Sequence, residues 1–285
     1  MPNRRDLFKH VPGGLGAIAI GTGMLTKTNE TQVQEEGPRH FALLVLDRSG
    51  SMAPRQKDVI DGVNEFLNVQ ANNTGMLIGI VQFDSYANNQ DQYCESILNW
   101  CPANQTPRLN ISDYQPRGGT PLLAAIVESI ASVEKMIRPI DRVLINIQTD
   151  GYENSSPSEI TREVVRSLIK AKEAEGNWTF AFMGADIDAW GESSAVGFAH
   201  GSTLQYAGTS SGTQAAYNNL SNSANIWYNN TGGGQSYDVA LASPANSNSN
   251  FYENTISSES QDVLVTWKQS LEELKAKKAN ESSAT

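Results

Sequence analysis

Short apolar runs alternate along the chain with segments that carry apolar residues at helical spacing. The runs are rich in Leu, Ile, Val and Phe, which is typical of buried strands. They lie at residues 41–46, 76–83, 93–100, 143–148, 178–183 and 203–206, with 93–100 as a short edge strand. The helical patterns lie at about residues 55–70, 122–137, 158–169, 189–196 and 213–228. This alternation predicts an α/β fold in which a doubly wound, mostly parallel central sheet is flanked by helices.

Two of the predicted helices have a local boundary signal. Pro139 follows the second helical pattern and ends it, because proline cannot continue a helix. Ser158 precedes the third pattern, and we expect its side chain to cap a helix that buries Ile160, Val164, Leu168 and Ile169.

Composition divides the chain into four parts. Residues 1–38 are a signal-like segment and a polar linker, 39–228 form the α/β domain, and 229–259 are an Asn/Ser/Gly-rich linker. Residues 260–285 are an amphipathic helix and a tail, with Leu264, Trp267, Leu271 and Leu274 on one helical stripe. We expect this helix to dock on its own domain, with capture by another protein as the alternative.

Charge excludes one broad class of partner. The 285-residue chain is 39% hydrophobic and 18% charged, as ordinary globular proteins are, and its formal net charge is −10. Nucleic-acid binding needs clustered Lys and Arg to contact phosphates, and the sequence has no such basic stripe. No segment has the apolar length of an ordinary membrane-spanning helix.

Candidate chemistry begins directly after the first apolar run, in the sequence DRSGSM (47–52). Asp47, Ser49 and Ser51 offer three side-chain oxygens at alternate positions, with Gly50 between the serines. Ligands of open α/β sheets bind beyond the carboxyl ends of the strands, where this loop is predicted to lie. Hard oxygen donors favour a divalent cation such as magnesium, and no nearby Cys or His favours zinc.

Two further loops carry oxygen donors of the same kind. In RGGTPLLAAI (117–126), Thr120 follows two glycines and precedes a helical pattern. In VLINIQTDG (143–151), Asp150 follows another buried-strand pattern. Three oxygen-bearing loops, two of them directly after apolar runs, predict a shared metal site rather than separate turns.

These motifs resemble the metal-ion-dependent adhesion site of von Willebrand factor type A (vWA) domains, and the resemblance covers about residues 39–228. It implies a Rossmann-like fold and five metal ligands: Asp47, Ser49, Ser51, Thr120 and Asp150. The implied ion is magnesium, with manganese or calcium as alternatives. In the family, an open coordination position typically accepts a carboxylate from a partner protein.

The leading prediction is therefore a non-enzymatic, metal-dependent protein-binding module that acts in adhesion or assembly. One alternative is a helper subunit of an ATPase or metal chelatase, which would be a separate chain because no phosphate-binding Gly-x-x-x-x-Gly-Lys loop is present. A less favoured alternative is a metal-assisted hydrolase. The histidines His10, His40 and His200 lie in no nucleophile–base motif, and RSGSM lacks the Gly-x-Ser-x-Gly elbow.

The N-terminus predicts export. Residues 3–9 (NRRDLFK) resemble a twin-arginine signal, and a Gly-rich apolar stretch follows at residues 11–25. We therefore expect the protein in the periplasm or at the cell surface, with a cytoplasmic location as the alternative. No Ala-x-Ala cleavage site follows, so an uncleaved segment that anchors the protein in the membrane is also open.

The cysteines and three further aspartates have weaker signals. Export slightly favours a disulfide between Cys94 and Cys101 over two free thiols. Asp84 is expected to be a turn residue. Asp186 and Asp188 are expected to cap the helix that follows them, with a role next to the metal ligands or in contact with a partner as the alternative.

Overall fold

The apolar runs form the strands of one sheet, and the amphipathic segments form helices on its two faces. The computed structural model describes residues 37–86, 92–235 and 251–252. The strands are β1 (His40–Asp47), β2 (Met76–Phe83), β3 (Cys94–Pro102), β4 (Arg142–Thr149), β5 (Trp178–Ala185) and β6 (Thr203–Tyr206). The helices are α1 (Gln56–Gln70), α2 (Leu122–Glu134), α3 (Arg162–Ala174), α4 (Ala189–Val196) and α5 (Ser210–Asn230). The predicted fold class, a doubly wound and mostly parallel α/β sheet, is confirmed.

The strand order of the sheet is β3-β2-β1-β4-β5-β6. Every neighbouring pair is parallel except β2 and β3, and β3 is the predicted edge strand. The chain builds outward from β1 in one direction and then returns to continue from β4 in the other. The β1–β4 boundary is therefore the topological switch point, where the loops beyond adjacent strands part and leave a crevice.

Strand β1 lies in the middle of the sheet, and all eight of its residues are buried. Its side chains alternate between two apolar clusters, because successive residues of a strand point to opposite faces. Ala42, Leu44 and Leu46 pack in the cluster that includes α1 and α5, whereas Leu43 and Val45 pack in the cluster that includes α2, α3 and α4. A strand covered on both faces explains why this run is continuously apolar.

Helices α1 and α5 approach each other closely at Gly62. A Cβ atom on Gly62 would lie 2.2 Å from Cδ2 of Tyr217, so only glycine fits against that ring. Tyr217 is buried, and its hydroxyl donates to Oε1 of Gln148 on β4 at 2.9 Å. This contact ties the α1/α5 layer to β4, which ends at Thr149, one residue before Asp150.

The predicted start of α3 is wrong. Thr161, rather than Ser158, caps the helix, and its Oγ1 accepts from the Val164 backbone N–H. Ile169 is buried as predicted, but Val164 is half exposed, and Val165 is buried instead. Ser158 lies inside a separate turn, residues 157–160, in which the Ile160 N–H donates to the Pro157 carbonyl. The helix therefore begins after this turn, and Thr161 is the residue that caps it.

The two cysteines are free, so the slight preference for a disulfide is wrong. Cys94 and Cys101 lie near opposite ends of the same strand, β3. An extended strand rises about 3.3 Å per residue, which separates their Cα atoms by roughly 20 Å. A disulfide needs Cα atoms within about 7 Å of each other.

Two residues of the predicted polar linker 229–259 are part of the apolar core. Phe251 and Tyr252 are buried in the cluster that includes α1 and α5. The Tyr252 hydroxyl donates to Oδ1 of Asn146 on β4 at 2.7 Å, and its N–H donates to the Gly201 carbonyl at 2.9 Å. The composition of this segment did not predict the contact, because the two aromatic residues lie in a sequence that is otherwise rich in Asn and Ser.

The predicted signal (1–38) lies outside the described residues up to residue 36, and the predicted C-terminal helix (260–285) lies outside them entirely. Within the part of the chain that the structure describes, none of the helices combines the length and the apolar character that a membrane crossing requires.

Candidate metal centre

The predicted ligand loops meet at the carboxyl edge of the sheet. Asp47 ends β1, Thr149 ends the adjacent parallel strand β4, and Asp150 follows directly. Because the two strands run side by side in register, their last residues become neighbours. Thr120 reaches the same edge from the loop that precedes α2.

The first ligand loop, residues 47–52, turns sharply, so the side-chain oxygens of Asp47, Ser49 and Ser51 converge. The Asp47 carboxylate is buried, and its Oδ1 accepts the Ser49 backbone N–H at 2.7 Å. A short 3-10 turn (Gly50–Arg55) then carries Ser51 back, and the Oγ atoms of Ser49 and Ser51 lie 3.0 Å apart. The three side chains, which lie at alternate positions in the sequence, therefore form one cluster.

The third loop joins this cluster through Asp150. The Ser51 hydroxyl donates to Oδ1 of Asp150 at 2.5 Å. The Asp150 side chain is only 2% exposed, although its loop lies at the surface. Asp47, Ser49, Ser51 and Asp150 are therefore connected by an unbroken chain of hydrogen bonds.

Thr120 lies against the same cluster from the side of the second loop. A Cβ atom on Gly151 would lie 3.0 Å from Oγ1 of Thr120 and 3.8 Å from Oδ2 of Asp47, so both oxygens face one small space beside the Gly151 backbone. The Thr120 N–H donates to Oδ1 of Asn154 at 2.8 Å, and its carbonyl accepts the Asn154 N–H at 3.1 Å. These reciprocal bonds fix the second loop to the third.

Backbone hydrogen bonds also fix the second loop to the first. The Gly50 N–H donates to the Gly118 carbonyl at 3.0 Å, and the Arg117 N–H donates to the Arg48 carbonyl at 2.7 Å. Gly118 has a φ of +69°, a conformation that favours glycine, and a Cβ atom there would lie 2.5 Å from the Tyr86 ring. The glycine before Thr120 is thus explained by the turn that brings the loops together.

Electrostatically, Asp47 is a buried carboxylate held by neutral groups. Its Oδ2 accepts from the Thr149 hydroxyl at 2.5 Å, and Oδ1 accepts from Ser49. Burial raises the pKa of Asp47 to about 7, and the hydrogen bonds from Thr149 and Ser49 oppose that rise. Within the described residues, no Lys or Arg forms an ion pair with Asp47.

The donor set suits a hard divalent cation. It combines two carboxylates with three hydroxyls, and oxygen-only sets of this kind favour magnesium, manganese or calcium over zinc. Such an ion would be held by Asp47, Ser49, Ser51, Thr120 and Asp150, and its charge would offset that of the buried Asp47 carboxylate. No group of three or more His, Cys, Asp or Glu side chains that could hold a metal occurs in the described part of the chain, so the hydroxyls are essential to this candidate.

Several neighbouring residues were not predicted from the sequence. Thr149 holds Asp47, the Tyr114 hydroxyl donates to the Asp47 carbonyl, and the Arg55 guanidinium donates to Oδ2 of Asp150. Thr149 could have been found, because it directly precedes Asp150 at the end of a strand. Tyr114 and Arg55 carry no sequence signal, since their partners are far away in the chain.

Asp84 has a larger role than the expected turn. It accepts the Tyr86 N–H at 2.6 Å, as a turn residue does. It is also fully buried, and its Oδ2 forms ion pairs with Arg48 at 2.7 Å and with Arg117 at 2.8 Å. Asp84 therefore joins the residue after Asp47 to the start of the second loop.

Of the two aspartates after β5, only Asp188 has the expected capping role. Asp188 caps α4, with Oδ1 accepting the Gly191 N–H at 2.9 Å, as predicted. Asp186 does not cap that helix; its carboxylate accepts from Arg55 at 2.6 Å and from the Gly208 N–H at 2.8 Å.

Exposed aromatic residues flank the candidate site. Tyr86 follows β2 and is 66% exposed, while Tyr152 follows Asp150 and is 51% exposed. Large exposed aromatic side chains are enriched in the contact surfaces of protein complexes. Next to the first loop, Arg48, Gln82, Glu95 and Arg117 line a polar cleft of about 390 Å³.

Comparison with known proteins gives likeness in structure only. No protein-family model matches the chain, and no curated protein matches it either. The pilus adhesin SpaC from Lactobacillus rhamnosus GG, in its open conformation, is similar with a TM-score of 0.53 and 16% sequence identity. The match covers 66% of this chain and 30% of SpaC.

Another structure of SpaC is similar with a TM-score of 0.50 and 16% identity, over 66% of this chain and 31% of that one. A von Willebrand factor type A protein from Catenulispora acidiphila has a TM-score of 0.47 and 15% identity, over 65% of this chain and 42% of that one. The match thus corresponds to less than half the length of each of these structures. At such identities, the likeness to SpaC establishes a shared fold and nothing about activity.

Proposed function

We propose that the chain is a vWA-type, metal-dependent protein-binding module that uses a divalent cation to bridge to an acidic group of a partner. One observation carries the proposal: oxygen atoms of Asp47, Ser49, Ser51, Thr120 and Asp150 come together from three loops at the switch point of the sheet. These are the five ligand positions that the vWA resemblance implies.

The composition of the set supports a bridging ion rather than a closed structural site. Two carboxylates and three hydroxyls leave an octahedral cation one ligand short, so water or an outside oxygen completes the shell. A carboxylate from a partner protein is the natural sixth ligand, because it is a hard, charged donor.

The surroundings of the site favour a protein over a small molecule as the partner. Tyr86 and Tyr152 are exposed on either side of the loops and offer contact area to a docked surface. Ser51, which belongs to the ligand set, is itself exposed, so the set is reachable from solvent. We propose that this contact operates outside the cytoplasm, following the twin-arginine-like residues 3–9, which lie outside the described residues.

The metal is tested by thermal unfolding with magnesium and with a chelator. At a magnesium concentration 100 times Kd, a bound ion stabilises the folded state by about 2.7 kcal/mol, which corresponds to roughly 5 °C or more in Tm. We expect Asp47→Ala to abolish this shift. Asp61→Ala, which removes an exposed carboxylate of α1, is the matched control and should retain it.

An unchanged wild-type Tm on addition of magnesium, manganese or calcium would contradict the metal site.

The partner is tested by affinity capture from the native cell envelope with magnesium and again with a chelator. A protein retained by the wild type with magnesium, and lost both with chelator and with Asp47→Ala, is the expected result. Capture that is insensitive to both the chelator and Asp47→Ala would contradict the bridging role.

A further inference from the structure

Arg55 links the candidate metal centre to an aspartate outside the ligand set. It ends the 3-10 turn that begins at Gly50, and its side chain is 16% exposed. One Nη atom donates to Oδ2 of Asp150, and the other donates to Oδ2 of Asp186 at 2.6 Å. A single guanidinium therefore bridges a predicted metal ligand and a carboxylate on the loop after β5.

Both carboxylate oxygens of Asp150 are engaged in this arrangement. Oδ1 accepts from the Ser51 hydroxyl, and Oδ2 accepts from Arg55. A cation that binds Asp150 must share these oxygens with a hydroxyl, which is neutral, and with a guanidinium, which is positive. Since a divalent ion and a guanidinium repel each other and seek the same oxygens, they compete for Asp150.

The partner of Arg55 on the other side is built into the fold. Asp186 has a φ of +53°, and its Oδ1 accepts the Gly208 N–H at 2.8 Å. Gly208 leaves room for the ion pair: a Cβ atom there would lie 2.2 Å from Oδ2 of Asp186 and 2.4 Å from Nη2 of Arg55. The position after β6 is thus shaped to let Asp186 hold the guanidinium.

We propose that Arg55 is a positioning residue that sets the affinity of the metal centre by competing with the cation for Asp150, while Asp186 draws the guanidinium away. This inference rests on the proposed metal-binding function and assigns its regulation to residues outside the ligand set. It predicts opposite effects for the two partners of one ion pair. Removing Arg55 tightens cation binding, whereas removing the charge of Asp186 weakens it.

The test uses Mn²⁺ as the probe, with free Mn²⁺ counted by electron paramagnetic resonance during titration of the full chain. We expect Arg55→Gln to lower the Kd for Mn²⁺ by roughly tenfold, because one adjacent positive charge is lost. Asp186→Asn should raise the Kd by about threefold, because Arg55 then bonds to Asp150 alone. Damage to the loops would weaken binding in both variants, so the opposite signs separate regulation from misfolding.

Two controls separate competition at Asp150 from a general change in charge. Arg162→Gln removes an arginine that pairs with Glu192 of α4 rather than with a predicted ligand, and it should change the Kd by less than about twofold. In the double variant, which combines Arg55→Gln with Asp186→Asn, the second substitution should change the Kd for Mn²⁺ by less than about twofold. The reason is that Asp186 acts on the metal centre only through Arg55, which is absent there. Unfolding in chelator establishes that each variant is folded, and Asp186→Asn at a half-exposed side chain carries the test if Arg55→Gln does not fold.

The outcomes separate this inference from the function on which it rests. If Mn²⁺ binds the wild type and Asp47→Ala equally, the metal site is wrong, and the role of Arg55 is wrong with it. If binding depends on Asp47 but Arg55→Gln fails to tighten it, or Asp186→Asn fails to weaken it, only the role of Arg55 is overturned. Additive effects in the double variant would also overturn it, since they would indicate independent charges.

Discussion

The two ends of the central sheet each bury an aspartate, and the two aspartates are held in opposite ways. Asp47 at the carboxyl edge accepts from the Ser49 N–H and the Thr149 hydroxyl, which are neutral. Asp141 at the amino edge accepts from the guanidinium groups of Arg39 and Arg138 and from the backbone N–H of each. Both side chains are inaccessible to solvent.

The difference shows what each end is built for. Burial opposes the ionisation of Asp141, but the hydrogen bonds from Arg138 and Arg39 outweigh it and lower the pKa of Asp141 to about 2. The negative charge of Asp141 is thus balanced by Arg39 and Arg138 within the protein, and the residue stabilises the amino edge of the sheet. Asp47 lacks such a match among the described residues, and this is the end at which we propose an external cation.

The largest expected effect comes from replacing each aspartate with asparagine in the presence of chelator. Asp141→Asn should cost about 3–5 kcal/mol of unfolding free energy, because two guanidinium groups lose their anion. Asp47→Asn should cost less than about 1 kcal/mol, because an amide can still bond to neutral donors and acceptors. Urea unfolding measures both, and equal costs would contradict the proposed difference between the two ends.

Acid should destabilise the protein through the amino end. His40 is buried beside Thr231, with Nε2 3.0 Å from the Thr231 hydroxyl. Burial, together with the nearby Arg142, lowers the pKa of His40 to about 4, although the Thr231 carbonyl and Asp141 oppose the change. The unfolded chain, with an ordinary histidine pKa of about 6.5, therefore binds the proton first.

The contribution of neutral His40 to the free energy of unfolding is therefore fully present above pH 6.5. As the pH falls toward 4, this contribution is lost, which lowers the free energy of unfolding by up to about 3 kcal/mol. We expect His40→Gln to flatten the dependence of the unfolding free energy on pH in this window. Comparison of the two proteins at the same pH values cancels the contribution of the carboxylates. An unchanged slope in the variant would assign the acid sensitivity to other groups.

A smaller effect tests whether residues 251–252 belong to the folded domain. Tyr252→Phe removes the hydroxyl that donates to Oδ1 of Asn146 and leaves the ring in place. Loss of this buried hydrogen bond should cost about 1–2 kcal/mol in urea unfolding. Tyr86→Phe, at an exposed hydroxyl beside the metal loops, is the matched control and should cost less than about 0.5 kcal/mol.

The smallest effect concerns the thiols. Because Cys94 and Cys101 are separated along one strand, we expect the same Tm with and without reductant and two titratable thiols in the unfolded protein. A lower Tm in reductant would mean that β3 does not hold the two residues apart.

The sequence alone determined most of the framework and the list of candidate ligands. Strands β1, β2, β4 and β5 were predicted because buried parallel strands are mostly apolar runs, and a run of this kind leaves little local alternative. The short strand β6 was predicted from a weaker, mixed pattern. The five oxygen donors were predicted because their motifs resemble the adhesion site of vWA domains, and two of the three loops directly follow apolar runs. Whether they bind metal remains a prediction.

Only the tertiary structure decided the contacts between residues that are distant in the chain. Arg55 and Asp150 are 95 positions apart, Asp47 and Thr149 are 102 apart, and Tyr252 and Asn146 are 106 apart. Such pairs have no periodicity or spacing that local sequence could reveal, since they depend on strand order and loop direction. The capping of α3 by Thr161 and the separation of the cysteines were likewise decided by how neighbouring segments pack and extend.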